Sequence, residues 1–216
     1  MFLETSMISL KIIDSILDIE RKVNAAIAPL VNQRIKTNMV NIKNNIQGLT
    51  GDWITQQPEI QSLLSSSPLS LAGQFGIPPA QVPFAVSSII ESVKASIFPE
   101  FRPFDSQLKG GFVINLQPDD FNNLLSLVSG HVFYAKGDLH WLNWLLTLGS
   151  SIVVANYGYS ASVGSGRSGL GVMSIGRSFR VPPRFSGTPD DNFITRALSG
   201  KSQQDQITKI IEKALI

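Results

Sequence analysis

The chain contains no cysteine, which excludes disulfides, thiolate chemistry and zinc–sulfur sites together. Histidine is nearly as scarce, with His131 and His140 the only two among 216 residues. Zinc sites take three or four protein ligands, so no metal centre is expected, and no cofactor either. Charge is thin as well: 16% of residues are charged, against roughly 25% in an average soluble domain. A surface this poor in charge suits broad contact with other chains, or else a strand-rich domain with an uncharged polar surface. The net charge of +2 is too small to mark a nucleic-acid binder by itself. Long hydrophobic runs are missing too. The nearest, 139–155, is interrupted by His140, Asn143, Thr147, Gly149, Ser150 and Ser151, so no membrane span is expected. The opening MFLETSMISLKIID lacks a basic start, an apolar run and a small-residue cleavage site, so no secretory signal is expected. These absences predict a soluble protein made in the cytoplasm.

What is present begins with a helical period over residues 6–46. Leu10, Ile13, Leu17, Val23, Ile27, Leu30 and Ile35 recur at steps of mostly three and four, with Lys11, Asp14, Asp18, Arg21 and Lys22 largely off that stripe. Pro29 is expected to bend or interrupt the helix, and the asparagine-rich run after Ile35 to fray it. A helix so long with one apolar stripe needs a partner surface, in its own chain or in a neighbour. Gly48 and Gly51 are expected to break the pattern. Pro58 and Pro68 suit the first turns of short helices and Gly76 a C-terminal cap. A second helix is predicted over 80–97, followed by a loop or extended arm at FPEFRPFDSQ. GGFVINLQP and HVFYA read as short strands, with a short helix between them capped by Asp119 or Asp120.

Residues 138–198 predict a Trp-Leu helix (138–148), a hairpin with strands at 151–161 and 170–180, a Pro-Pro arm (181–189) and a closing helix. The nine-residue hairpin connection is long enough to be a mobile projecting tip, so deletion of 162–169 is expected to leave the monomer folded but to prevent its assembly or docking. SGKSQQDQITKIIEKALI closes the chain as an amphipathic helix with Ile207, Ile210, Ile211 and Leu215 on one side. Helices and strands come in runs rather than alternating, which predicts an α+β fold. The expected organisation is a long N-terminal helix (1–47), an α+β core (48–200) holding a small antiparallel sheet and long-tipped hairpin packed by short helices, and a C-terminal helix (201–216).

The motifs that carry chemistry are weak. Gly200-Lys201-Ser202 would need glycine where Thr195 stands to make a phosphate loop, and Gly164-Ser165-Gly166 has no following helix. Asp138 is placed on a helix, two residues from His140 and facing away from it, so it is not expected to orient that ring. Asp119-Asp120 and Asp190-Asp191 each stand at a predicted helix start, where capping accounts for them. Arginine placement is more informative. Arg167, Arg177, Arg180, Arg184 and Arg196 fall within thirty residues with no lysine among them. The planar guanidinium fork suits interface ion pairs and phosphate contact alike, and ordinary surface charge remains the plain alternative. With Trp141, Trp144, Phe185 and Phe193, these arginines are the candidate interface residues, because tryptophan and arginine are enriched at interface hot spots. Core packing is the plain alternative for the tryptophans.

Three stretches carry a family resemblance: LTGDWITQQPEIQSLLSSSPLSLAGQFGI, GDLHWLNWLLTLGSSIVVANY, and RSGLGVM followed by FRVPPRFSGTPDDNFITRAL. Residues 49–198 resemble a neck, head–tail connector or tail-completion protein of tailed bacteriophages. The chain departs from that pattern in the uncharged SLAGQFG and the glycine-heavy ASVGSGRSGLG. The resemblance implies a non-enzymatic virion protein without cofactor. It would assemble as a homo-oligomeric ring, six- or twelve-fold, between portal or connector and tail proteins. Such a ring would line the DNA channel, with at most non-specific DNA contact and no membrane. Its location would be the head–tail junction of the virion. Two alternatives of other classes stand beside it: a small soluble hydrolase using Ser, Asp and one histidine, and a DNA-backbone binder using the 167–196 arginines.

Overall fold

The computed structural model describes residues 14–135, 137–163 and 166–215. One 40-residue helix, α1 (Ile16–Thr55), organises everything else. Ser15 starts it, its hydroxyl accepting from the Asp18 amide at 3.1 Å. Pro29 lies inside α1 without ending it. The carbonyl that loses its amide partner belongs to Ala25, which is exposed, so water can take the amide's place. The asparagine-rich stretch does not fray. Asn32 Nδ2 donates to the Phe104 carbonyl and its Oδ1 accepts from the Phe104 amide, while Asn38 donates to the Ala214 carbonyl. Tertiary hydrogen bonds and burial of Ile42 and Ile46 override the weak local propensity. Gly48 and Gly51 lie within the helix. A Cβ on Gly51 would sit 2.8 Å from Lys94 Cε, so this glycine is a notch that lets a second helix approach. The expected boundary at 47/48 therefore falls inside α1, whose last turns belong to the core.

Helix α2 (Pro58–Leu64) begins with Pro58 at its first turn, and α3 (Leu71–Phe75) ends at Gly76, whose φ of 68° is the left-handed cap that glycine favours. Pro68 stands in a turn before α3 rather than in a helix. Helix α4 (Val82–Ser96) buries Val82, Val86, Ile89 and Val93. FPEFR, read as an arm, is strand β1 (Phe98–Arg102), paired antiparallel with β2 (Gly111–Asn115). After α5 (Asn122–Leu125) come β3 (Val132–Tyr134) and β4 (Gly137–Leu139), then α6 (Trp141–Leu146). The remaining strands are β5 (Ile152–Val154), β6 (Tyr157–Ser160), β7 (Val172–Ile175) and β8 (Phe179–Arg180). They form two-stranded antiparallel pairs, β6 with β7 and β5 with β8. Helices α7 (Phe193–Leu198) and α8 (Lys201–Leu215) end the chain.

The fold is α+β, with strands gathered into antiparallel pairs around a helical centre. Trp53, Ile54, Leu71, Phe75, Ile89, Trp141, Leu145 and Phe193 meet in the main core. A smaller cluster joins Ile42 and Ile46 to Ile97, with Ile207, Ile210 and Ile211 of α8 packed on it. Leu215, expected on the apolar side of α8, is 41% exposed.

Candidate functional site

Residues 166–169 of the hairpin connection fold back onto the body. Ser168 is buried, and the Arg167 guanidinium donates to the Phe133 carbonyl at 3.1 Å while lying 5.2 Å from the Tyr134 ring centroid. The Tyr159 hydroxyl donates to the Pro68 carbonyl at 2.7 Å, tying β6 to the turn before α3, and burial raises the pKa of that hydroxyl. Gly73 makes the contact possible, since a Cβ there would meet the Tyr159 oxygen at 2.7 Å and the Pro68 carbonyl at 3.1 Å. Deleting 162–169 would therefore remove Arg167 and Ser168, which are packed against the body, contrary to the expectation that the monomer folds independently of this segment. The Pro-Pro arm likewise lies on the body, with Val181 and Phe185 buried and Gly187 too close to the Leu145 carbonyl to carry any side chain.

Between the folded-back hairpin and the β3–β4 ladder opens a cleft of about 890 Å³. Phe75 and Phe179 meet edge-on along it, and Trp144, Val153, Val154 and Met173 add further apolar lining. Its lining also carries polar side chains: the charged or titratable Arg167, Asp138 and His140, with Gln74, Tyr134 and Tyr159. A large, mostly apolar concavity with a few convergent polar groups is the usual form of a binding site.

The two histidines are adjacent in space. β3 and β4 pair Val132 with Leu139 and Phe133 with Asp138. Extending that register by one residue sets His131 opposite His140, and their rings stack 3.9 Å apart. Asp138 is the diagonal neighbour of His131, within side-chain reach across the ladder. Its Oδ2 lies 2.7 Å from His131 Nδ1. Asp138 thus stands on a strand, not on the expected helix, and the histidine it orients is His131. His140 Nε2 is buried and unpartnered. Burial holds its pKa below the ordinary imidazole value, the neighbouring His131 lowers it further, and Asp138 partly offsets both. A hydrolase would need a serine beside this pair, and among the described residues no serine hydroxyl hydrogen-bonds to either ring. Nor is any group of three His, Cys, Asp or Glu side chains arranged to hold a metal ion among them. The palindromic spacing in HVFYAKGDLH was the available signal for the pair, had the hairpin been recognised.

The candidate interface residues fall into distinct environments. Trp141 and Phe193 are fully buried and Phe185 nearly so, which places them at the centre of this unit rather than on its surface. The Trp141 indole donates to the Ser129 carbonyl at 3.1 Å. Trp144 is half-buried on the cleft wall. Arg180 donates to the Ser150 carbonyl, Arg184 lies 4.5 Å over the Phe185 ring, and Arg177 is exposed. Arg196 binds both Asp191 and Glu59. Glu59 escaped the sequence reading, yet its carboxylate is almost wholly buried and its Oε2 has no partner. Burial raises its pKa against the lowering effects of its backbone hydrogen bond and Arg196. The α7 cap is Asn192, in a reciprocal capping box with Thr195, rather than Asp190 or Asp191.

The other large feature is the outer part of α1. Of residues 16–30 only Ala28 is buried. Ile16, Ile19, Val23, Ile27 and Leu30, at steps of three and four, form one exposed apolar ridge; Leu30 is 67% exposed. Leu10 and Ile13 of the expected stripe lie outside the described residues. Among the described residues, no helix is long and apolar enough to cross a membrane. No protein family, curated protein or solved structure matches this chain in comparison.

Proposed function

We propose that the protein is a non-enzymatic structural subunit of a tailed-phage virion. It would close into a homo-oligomeric ring at the head–tail junction that joins portal or connector to tail and surrounds the DNA channel. The observation that carries this reading is the bare ridge on α1. Fifteen residues rise at 1.5 Å each, so roughly 20 Å of helix extends with its aliphatic side chains in water. Exposed contiguous apolar surface of this kind marks an interaction site rather than a stable monomer face. The resemblance of residues 49–198 to neck and tail-completion proteins supplies the setting. The low charge agrees with it.

Native mass spectrometry and negative-stain imaging of the purified protein test the reading. A closed ring of six or twelve copies around a channel wide enough for duplex DNA is expected. A monomer or a compact dimer at every concentration would overturn it.

A further inference from the structure

We infer that the outer ridge of α1 docks in the β3–β4/hairpin cleft of a second copy of this chain. The inference rests on the ring reading above and specifies its joint. Two large apolar surfaces lack a partner among the described residues, and they have opposite shapes. One is convex, the ridge of Ile16, Ile19, Val23 and Ile27. The other is concave, a cleft of about 890 Å³ whose walls include Trp144, Val153 and Met173.

An amphipathic helix laid into an apolar groove is a recurrent recognition mode, read through anchors three and four residues apart. The ridge has those steps. It cannot reach its own cleft, because its residues are exposed while the cleft lies on the α3, α6 and hairpin side of the body. The joint therefore pairs one face with a different face, the heterologous geometry that closes into rings.

Charge agrees with the assignment. Asp14, just before α1, and Asp18 in its first turn are ion-paired with Lys22 and Arg21. Glu20, beside the ridge between Ile19 and Val23, has no ion-pair partner among the described residues. On the cleft rim Arg167 donates to a carbonyl, lies over a tyrosine ring and beside Gly76, and has no carboxylate partner among the described residues. Bringing ridge and cleft together offers Glu20 the guanidinium of the neighbour.

A charge exchange tests the joint. Glu20→Arg and Arg167→Glu are each expected to raise the concentration needed for assembly about tenfold or more, by setting like charges together. The double variant, carrying both changes in one chain, is expected to restore assembly. Thermal melting of each monomer checks that the fold persists. Because the chain is free of cysteine, Val23→Cys and Met173→Cys introduced in separate chains and mixed under oxidation are expected to form an inter-chain disulfide between positions 23 and 173. If rings persist in both single variants, or the thiol at position 23 links only to its own counterpart in another Val23→Cys chain, the joint is wrong while the ring stands. If the native protein never assembles, the ring reading falls and takes the joint with it.

Discussion

The two halves of α1 share one continuous backbone and a similar supply of aliphatic residues, yet they meet opposite environments. From Ile35 to Ile54 most of the apolar side chains are buried, Ile35, Ile42, Ile46, Trp53 and Ile54 among them, with Val40 the exposed exception, and α4, α7 and α8 pack along α1. From Ile16 to Leu30 the same kind of residues stand in water. The inner half is held by its own chain, at about 1.5–3 kcal/mol for each buried aliphatic side chain. The outer half has no such stabilisation and gains it only if another surface arrives. Hydrophobic periodicity therefore reports that a helix wants a partner, not where the partner is. Asn32, clamped to the Phe104 backbone, lies near the border between the two regimes.

Ile46→Ala attacks the inner half most directly and is expected to destabilise the monomer by about 2–5 kcal/mol in urea unfolding, because a fully buried aliphatic group leaves a cavity. A loss no larger than that of an exposed site would erase the distinction. Arg196→Ala, which strips the partner from buried Glu59 behind the inner half, is expected to cost about 2–3 kcal/mol, discounted for the partial exposure of Arg196. Glu59→Gln in that background should recover part of it. At the border, Asn32→Ala is expected to cost about 1–2 kcal/mol, since two backbone hydrogen bonds are lost where water can partly replace them.

The cleft wall adds a pH signature. His140 has a lowered folded pKa, so the unfolded chain takes up its proton first as pH falls. Its contribution to stability is present above the unfolded value of about 6.5 and is lost as pH drops through the folded one. His140→Asn should flatten the fall in melting temperature below about pH 6.5 relative to the native chain. An unchanged slope would count against a neutral buried ring. The smallest effect is expected on the outer half: Val23→Asp should alter monomer stability by no more than about 0.5 kcal/mol, while abolishing assembly. A large loss of monomer stability would mean that the ridge has a partner inside its own chain.

Much of the architecture was legible in the sequence. The α4 and α8 stripes, the helix-starting Pro58, the Gly76 cap and the strands at 111–115 and 132–134 follow from local chemistry and period, and so does the α+β class. The errors share one physical cause. Pro29, the asparagines and the two glycines argue locally for an end to α1, but the helix runs through all of them, with long-range hydrogen bonds from Asn32 and Asn38 and a close approach of Lys94 to Gly51. The hairpin tip and Pro-Pro arm read as projections because glycine, serine and proline are turn formers. Only their contacts with Gly73, Tyr134 and Leu145 show that they are packed. Of the candidate site, the arginines and Trp144 were visible as residue types, whereas the His131–Asp138–His140 arrangement depends on a strand register.

By itself the sequence determined that this protein has no thiol chemistry, little charge, helices of known period and an apolar stripe in search of a surface. These are properties of residue type and spacing, which no fold can alter. The tertiary structure alone decided which part of that stripe is buried, which histidine meets Asp138, and that the hairpin folds back to frame a cleft. Those outcomes depend on contacts between residues far apart in the chain, such as Asn32 with Phe104 and Tyr159 with Pro68, and local periodicity carries no record of them.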